Sequence, residues 1–535
     1  MISFIVLTFI FVLACSAASK PNIVFIIVDD MGWSDAGFRN DNEIHTPSMD
    51  GFAKDGIILN RYYAQDVCSP TRASILSGRY PSHLGLQHYV INPSEPHGLP
   101  LNETTLPSLL KEQGYETHAV GKWHQGFWKW DYTPTFRGFD SFYGFYNGGQ
   151  TYFDHMNGNG YDMRRDNGPR CGKNCSIVDF NAKDIYSTTL FTSEAINVIN
   201  NHNSTNPMYL YLAYQAVHAP DEVPEQYVKP YAETIKNQKR RAFAGMMTAL
   251  DEGIYNVTEA LKKKGLYENT LLIFTSDNGG PIYEKDCYIC GDNAGSLNYP
   301  LRGGKHTLYE GGVRVTGMVT GGVIQDKDKD WLPTLLEASG ASIYTDKTNH
   351  VTHVKTSNKD HVLPLDGVSQ WNNIIKKQVS DRDTILLNFD PIHNDGPQAG
   401  IIYKSHKLLL GPAGCPDIWQ DKNQQPIPAP DMNASIYIYI NNNNNIEATT
   451  DIEKSLLKEL GFPEESKVLL FDIYNDENEQ IDIHEQFPDI VEELLRKLID
   501  YKSSLVQPYT PWNDPKADPK KYNNIWVPWG DEEEL

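Results

Sequence analysis

Several segments of the chain are continuous apolar runs that end in polar residues. The first run, within residues 22–30, is rich in β-branched side chains and ends in Asp29 and Asp30. Residues 208–214 and 271–275 show a similar pattern. Because a strand that is buried on both faces has no polar face, such runs predict central strands of a sheet.

Helical patterns lie between the predicted strands. Residues 106–113, 187–200 and 241–264 predict helices. Strands that alternate with helices are typical of a layered α/β domain whose central sheet is mainly parallel. We therefore expect an α/β domain over residues 19–400.

The pattern changes after about residue 400. Residues 401–410, 435–440 and 468–474 predict strands, and residues 488–502 predict a helix. The asparagine run at 441–445 predicts an exposed loop. We therefore expect a smaller α+β domain over residues 401–535, with an antiparallel sheet.

Polar side chains follow the predicted central strands. Asp29 and Asp30 end the first strand, Asp277 and Asn278 follow another, and His218 follows a third. Ligands collect beyond the carboxyl ends of strands in open α/β sheets, so these residues predict a shared site. The three carboxylates and the amide are hard oxygen donors, which favour Ca²⁺ or Mg²⁺ over zinc.

An apolar run at the N-terminus is followed by several small residues. Residues 1–18 predict a cleaved signal peptide, although no Lys or Arg precedes the apolar run. A membrane anchor is the alternative, but the run is short for a span of about 20 residues. Acceptor triplets for N-glycosylation support the secretory route, at Asn102, Asn174, Asn203, Asn256 and Asn433. We expect a lysosomal or extracellular protein without stable membrane association.

Charge and cysteine content narrow the picture further. The 535 residues include 47 Lys and Arg but 69 Asp and Glu, a net charge of −22, which makes a nucleic-acid partner unfavourable. Two close pairs of cysteines could form disulfides or a structural zinc site: Cys171 with Cys175, and Cys287 with Cys290. The long separation between the pairs is unlike a compact zinc finger, and an oxidising compartment favours disulfides. Cys15 leaves with the signal peptide, whereas Cys68 and Cys415 remain.

Cys68 opens the segment with the most specific chemistry. Ser69 is a good helix N-cap and Pro70 suits the first helical position, so Cys68 is expected at a helix N-terminus, where anions are favoured. On spacing alone, a buried or disulfide-bonded cysteine explains the segment equally well.

The motif Cys68-x-Pro70-x-Arg72, with Gly78-Arg79 after it, resembles the signature of the type I sulfatases. Residues 121–124 resemble the second signature of that family, with Gln125 where Leu is more usual and Thr71 where Ser is commoner in the first. Further segments match in order along the chain, at residues 21–32, 45–50, 137–140, 276–280, 301–305, 311–314 and 470–476. The pattern looks most like the arylsulfatase B subgroup.

The resemblance implies an alkaline-phosphatase-like layered domain with a mainly parallel or mixed sheet. It implies that a formylglycine-generating enzyme converts Cys68 to Cα-formylglycine during secretion. One Ca²⁺ per chain would be held by Asp29, Asp30, the converted Cys68, Asp277 and Asn278. The other catalytic residues implied are Arg72, Lys122, His124, His218 and Lys305, whereas His83, His88 and His306 are expected to be structural or to lie at the rim.

The implied reaction is the hydrolysis of a sulfate ester. One hydroxyl of the hydrated formylglycine, activated by the metal and Asp277, attacks sulfur, and His218 protonates the leaving alcohol with the assistance of Lys305. His124 then helps to deprotonate the second hydroxyl, which expels sulfate. The arylsulfatase B resemblance implies N-acetylgalactosamine-4-sulfate as the substrate, and a small sulfated metabolite such as a glucosinolate is the other expectation. Residues 143–155, rich in Tyr, Phe and Gly, are expected to line the pocket rim.

Two other functions are compatible with this type of scaffold. A phosphatase or phosphodiesterase would use a Ser or Thr nucleophile and a richer Asp/His set for two zinc ions, unlike the Cys68 motif and its single Asp/Asn set. A non-catalytic binding protein derived from a sulfatase would leave Cys68 unmodified.

Overall fold

The computed structural model describes residues 20–40, 43–282, 295–323, 331–341, 343–346, 351–355, 362–370, 382–414, 418–421, 426–427, 450–510 and 512–531. Some predictions lie outside these residues: the signal peptide over 1–18, the strand and loop over 435–445, and Cys15, Cys287, Cys290, Cys415 and Asn433.

The strands that the structure describes are numbered along the chain. They are β1 Asn22–Val28, β2 Ile57–Leu59, β3 Glu116–Lys122, β4 Ser141–Phe145, β5 Met156–Asn157, β6 Gly160–Tyr161, β7 Arg164–Asn167, β8 Ser176–Val178, β9 Met208–Ala213, β10 Thr270–Ser276, β11 Gly317–Thr320, β12 Ile343–Asp346, β13 Val351–Lys355, β14 Val362–Leu365, β15 Thr384–Asp390, β16 Gln398–Tyr403, β17 His406–Leu410, β18 Trp419–Gln420, β19 Pro426–Ile427 and β20 Val468–Asp472.

The helices are numbered in the same way. They are α1 Pro47–Asp55, α2 Cys68–Ser77, α3 Leu106–Glu112, α4 Ser187–Asn201, α5 Glu225–Val228, α6 Gln238–Lys264, α7 Glu310–Val313, α8 Trp331–Ala338, α9 Asp451–Leu460 and α10 Pro488–Lys502. The helix α6 begins three residues before the predicted start, because the Asn237 side chain caps it by accepting hydrogen bonds from the Lys239 and Arg240 amides.

Nine of the described strands form the central sheet, in the order β2-β11-β10-β1-β9-β3-β4-β7-β8. The five central strands, β10 to β4 in this order, run parallel. The strands at both edges pair antiparallel, so the sheet is mixed. The predicted layered α/β fold is confirmed.

Helices cover both faces of this sheet. Val24 and Ile26 of β1 pack in a core with Phe191 of α4 and residues of α6, whereas Phe25 and Ile27 pack in a second core with residues of α2 and α3. Both faces of β1 are therefore buried, which explains its uninterrupted apolar sequence. Each fully buried side chain of this size contributes about 1.5–3 kcal/mol.

A second, antiparallel sheet forms in the order β15-β16-β17-β20, and α9 and α10 pack on it. The prediction of one strand over residues 401–410 is wrong, since these residues form a hairpin. The strand β16 ends at Tyr403, Lys404 adopts a left-handed φ of 54°, and β17 begins at His406. Ser405 favours turns only weakly, and Lys404, which adopts the left-handed conformation, is not a typical turn residue, so the sequence carried only a weak turn signal here.

Two cysteines of the described part of the chain, Cys171 and Cys175, form a disulfide with a Cα–Cα distance of 5.3 Å. Each sulfur is therefore bonded to the other, and neither serves as a zinc ligand. Within the described residues, no helix is both long and apolar enough to cross a bilayer.

Candidate active site

The carboxyl ends of β1 and β10 bring acidic side chains together. The parallel register pairs Val28 with Ser276, so Asp29 and Asp277 follow at the same level of the sheet. The Asp30 amide donates a hydrogen bond to Asp277 Oδ1 at 3.2 Å. Neighbouring residues of a strand point to opposite faces, but Asp30 has a left-handed φ of 64°. The turn at this position lets two adjacent carboxylates reach one centre.

Cys68 joins this centre from α2. The helix begins at Cys68, two residues before the first helical position predicted at Pro70. The predicted N-cap role of Ser69 is also wrong, because its hydroxyl accepts a hydrogen bond from the Ile91 amide instead. Cys68 is a free cysteine that is 1% exposed, and its Sγ lies 3.4 Å from Asp29 Oδ1.

The donor atoms of this centre are compact enough for a single metal ion. Potential ligand atoms of Asp29, Asp30, Cys68 and Asp277 lie within 4.8 Å of one another, the only such group of His, Cys, Asp and Glu within the described residues. Asn278 Nδ2 donates to Asp30 Oδ1 at 2.8 Å, whereas the buried Asn278 Oδ1 has no hydrogen-bond partner. An unsatisfied buried oxygen among carboxylates fits the coordination that Ca²⁺ or Mg²⁺ requires.

Three buried cations pair with the three carboxylates. The contacts are Lys122 Nζ to Asp29 Oδ2 at 2.6 Å, Lys305 Nζ to Asp30 Oδ1 at 2.7 Å, and Arg72 Nη2 to Asp277 Oδ2 at 2.8 Å. The formal charges of these six groups sum to zero. A bound divalent cation would leave a positive surplus, which an anionic ester would reduce.

Burial and these charges set the protonation of the centre. Burial and Asp277 raise the pKa of Asp29 against the opposing effect of Lys122. Burial alone would raise the pKa of Asp30 and of Asp277, but Lys305 and Arg72 respectively help to hold them below the usual value. Burial and Asp277 raise the pKa of the Cys68 thiol. A thiol that stays protonated is a weak nucleophile and a weak ligand.

His124 lies just beyond β3, in a left-handed conformation with φ 54°. Its Nε2 lies 3.1 Å from the Ile91 carbonyl oxygen, and its buried Nδ1 has no hydrogen-bond partner. Burial, Lys122 and Arg72 lower the pKa of this imidazole well below the usual value. A neutral ring that donates from Nε2 carries its lone pair on Nδ1, so His124 can accept a proton there.

His218 follows β9 and is more open to solvent than His124. Its side chain is 25% exposed, and Nε2 lies 3.7 Å from Asp30 Oδ2. Its Nδ1 lies 2.7 Å from the Ala219 carbonyl oxygen, so Nδ1 carries the hydrogen and Nε2 faces the acidic centre. The two predicted histidines therefore lie at the same site but differ in burial and in the nitrogen available for chemistry.

The segment 143–155 differs from its prediction. Four of its five Tyr and Phe side chains, those of Tyr143, Phe145, Tyr146 and Tyr152, are buried in the core and do not line a rim. Its glycines are the residues that approach the site. A Cβ atom on Gly148 would lie 2.5 Å from His124 Nε2.

Two residues that depart from the family signatures support the site. Gln125 is buried and donates hydrogen bonds to the carbonyls of Ser69 and His124, which ties β3 to the start of α2. The Thr71 hydroxyl donates to the Asp277 carbonyl and accepts from the Gln65 amide. Sequence reasoning recorded both positions only as departures and missed these supporting roles.

Comparisons with known proteins agree with this geometry. The Sulfatase family model matches residues 21–341. Arylsulfatase J of Mus musculus is 35% identical over 97% of this chain and 82% of its own length. N-acetylgalactosamine-6-sulfatase of Mus musculus is 32% identical over 58% of this chain and 59% of its own length. The crystal structure of Ps i-CgsB in complex with k-i-k-neocarrahexaose superposes with a TM-score of 0.66 and 25% identity, covering 95% of this chain and 97% of that one.

Proposed function

The chain belongs to the sulfatase family, and from that premise we propose that it hydrolyses sulfate esters of sugars through a Cα-formylglycine made from Cys68. We further propose one Ca²⁺ per chain, with Asp29, Asp30, Asp277, Asn278 and the converted residue 68 as ligands. We propose residues 19–400 as the catalytic part and residues 401–535 as a supporting α+β domain, although the second sheet already begins before this boundary, with β15 at Thr384 and β16 at Gln398.

The position of Cys68 carries this proposal. Its side chain points into a buried group of three carboxylates and three cations, where a protonated thiol has little reactivity. Conversion would replace the sulfur with oxygen, which matches the hard oxygen donors around it. The hydrate of formylglycine would supply one hydroxyl for attack on sulfur and a second one for release of the sulfate.

The other side chains have separate roles in binding charge and moving protons. Lys122, Lys305 and Arg72 lie where negative charge develops on the sulfate oxygens, and fixed cations in a water-poor site stabilise such charge strongly. His218, protonated on both ring nitrogens, donates the Nε2 proton at the more open side to the leaving alcohol and keeps the Nδ1 hydrogen on the Ala219 carbonyl. His124 Nδ1, which has no internal partner, accepts the proton whose removal allows sulfate to leave.

The names of similar proteins support a class of substrate. One relative is an N-acetylgalactosamine-6-sulfatase, and one similar solved structure is a complex with k-i-k-neocarrahexaose. We propose a sulfated carbohydrate such as N-acetylgalactosamine-4-sulfate, with a small sulfated metabolite such as a glucosinolate as the second candidate. Passage through the secretory pathway to the lysosome or the cell exterior would bring the chain to such substrates and to a formylglycine-generating enzyme.

Peptide mass spectrometry of the secreted protein tests the proposal directly. The peptide that contains residue 68 should carry the aldehyde or its hydrate, and the same preparation should hydrolyse 4-nitrophenyl sulfate. A free thiol alone in active protein would remove the formylglycine mechanism. Two zinc ions per chain with hydrolysis of phosphate esters would instead favour the phosphatase alternative.

A further inference from the structure

A pair of stacked aromatic rings lies next to Lys305, which is proposed to bind the sulfate. The rings of Tyr89 and His306 stack with centroids 5.6 Å apart and an interplanar angle of 11°. Tyr89 is 37% exposed, so part of this surface is open to solvent. His306 directly follows Lys305, and its amide donates to the Asp66 carbonyl at 2.9 Å. The stack is therefore fixed next to the proposed position of the sulfate.

His88, the residue before Tyr89, is held by the second sheet. Its Nδ1 lies 2.8 Å from Oδ2 of Asp390, the buried last residue of β15. Asp390 Oδ1 accepts a hydrogen bond from the Ile392 amide, which fixes the carboxylate. Because His88 Nδ1 donates to Asp390, Nε2 is the nitrogen that can accept a hydrogen bond from a ligand.

The two features are joined along the chain and through the stack. Tyr89 directly follows His88, and its ring stacks on His306, which directly follows Lys305. His306 also lies within the electrostatic influence of Lys305 and His218 of the candidate active site.

We propose that Tyr89, His306 and His88 form a subsite for the uncharged sugar ring that bears the sulfate ester. This inference rests on the proposed function and adds the recognition of the sugar to it. The Tyr89–His306 stack would cover one apolar face of the ring, and His88 Nε2 would accept a hydrogen bond from a ring hydroxyl. Asp390 is a positioning residue, because it acts through His88.

The charge at this surface selects against a second anion. Asp390 and the exposed Asp395 both act electrostatically on His393, and the whole chain carries a net charge of −22. A uronate or a second sulfate placed here would be repelled by these carboxylates. We therefore expect a neutral monosulfated sugar to be preferred over a polyanionic chain.

Parallel assays on two sugar sulfates and one aryl sulfate test the subsite. The probes are N-acetylgalactosamine 4-sulfate and 6-sulfate, with 4-nitrophenyl sulfate as the substrate that has no sugar. For Tyr89→Ala and for His88→Ala, kcat/KM should fall about tenfold more on the preferred sugar sulfate than on 4-nitrophenyl sulfate. The fall should appear mainly as a higher KM. A factor of ten corresponds to the loss of one stacking contact or hydrogen bond of about 1.4 kcal/mol. Tyr89→Phe should retain the wild-type ratio between the two substrates.

Matched controls separate recognition from folding. Tyr255→Ala removes another exposed tyrosine, on α6, and should leave the ratio unchanged. Asp390→Ala should lower the ratio as His88→Ala does, Asp390→Asn should restore part of it, and Asp383→Asn at the other end of β15 should not change it. A N-acetylgalactosamine 4-sulfate unit linked to a uronate should show a higher KM than the free monosaccharide sulfate.

The outcomes are distinguishable. Equal falls on both substrates, or no fall on either, would overturn the subsite. Hydrolysis of 4-nitrophenyl sulfate without hydrolysis of either sugar sulfate would overturn the subsite but leave the proposed sulfatase reaction intact. Failure of the wild-type protein on every sulfate ester would contradict the proposed function itself.

Discussion

Lys122 Nζ lies 2.6 Å from Asp29 Oδ2, and both side chains are completely excluded from solvent. Removal of one partner from such a pair leaves a buried charge uncompensated, at a cost of about 3–5 kcal/mol. We predict that Lys122→Ala lowers the free energy of unfolding of the calcium-free protein by this amount, as measured by urea unfolding. Added Ca²⁺ should restore part of it, because a cation next to Asp29 again compensates the carboxylate.

The matched control for this prediction is Lys111→Ala. Lys111 pairs with Asp140 at 2.5 Å, but the two side chains are 39% and 27% exposed. A surface pair of this kind contributes about 0–1 kcal/mol, so the control should change stability little and should not respond to Ca²⁺. Equal losses in both variants would contradict the role assigned to the buried pair.

Calcium binding should be measurable without an activity assay. A ligand that binds only the folded state stabilises it, by about 2.7 kcal/mol at a concentration of one hundred times Kd. We predict that Ca²⁺ raises the melting temperature and that a chelator reverses the rise. Asp277→Ala and Asn278→Ala should each reduce the shift, whereas the exposed Asp131→Ala should retain it. An unchanged shift in both site variants would exclude the proposed ligands.

Cys68→Ser should stop the reaction after the first chemical step. A serine hydroxyl can accept the sulfate, but its carbon bears no second hydroxyl to expel it. We predict that a stable sulfated enzyme accumulates on incubation with 4-nitrophenyl sulfate, as intact mass spectrometry would show. Cys68→Ala should show no such adduct, and normal turnover by Cys68→Ser would mean that the mechanism is wrong.

The stability of the protein should depend on pH through a buried group that is not one of the proposed catalytic residues or metal ligands. Lys407 Nζ lies 2.9 Å from Glu310 Oε1 and 2.8 Å from Glu479 Oε1, with all three side chains buried. Burial raises the pKa of Glu479 from 4.5 to about 7, although Lys407 opposes the rise. The folded protein thus retains a proton that the unfolded chain releases near pH 4.5. Stability should fall as pH rises from about 4.5 to about 7, by up to about 3 kcal/mol.

Thermal unfolding at pH 5 and pH 8 measures this dependence. The wild-type protein should melt at a higher temperature at pH 5. Glu479→Gln, which has no charge to bury, should raise the melting temperature at pH 8 and reduce the difference between the two pH values. Glu464→Gln, at an exposed position, should leave the difference unchanged. A lower melting temperature of Glu479→Gln at pH 8 would show that the charged form is the stabilising one.

The central strands and the site were predictable because their sequence signals are local. The run before Asp29 has no polar residue to interrupt it, and a parallel sheet then requires Asp29 and Asp277 to meet at one edge. The resemblance of the segment after Cys68 to known signatures indicated the chemistry. The structure brings each predicted site residue that it describes into the same region.

The errors arise where distant contacts determine the structure. Ser69 was predicted to cap α2, but its hydroxyl accepts from Ile91, which lies twenty-two residues later. The hairpin around Lys404 has no glycine or proline to mark its turn. The aromatic residues of 143–155 have the composition of a ligand pocket, yet Tyr152 is buried in the core. Composition alone does not show which side chains face a pocket and which face the interior.

The burial of Cys68 also constrains how the protein is made. Its side chain is 1% exposed at the start of a helix that is itself buried, so an enzyme of ordinary size has no access to it in the folded molecule. The proposed conversion must therefore take place on the nascent chain, before the α/β domain closes. The specific activity of a preparation would then depend on the relative rates of modification and folding. Molecules that fold with an unmodified Cys68 would stay inactive for their whole lifetime.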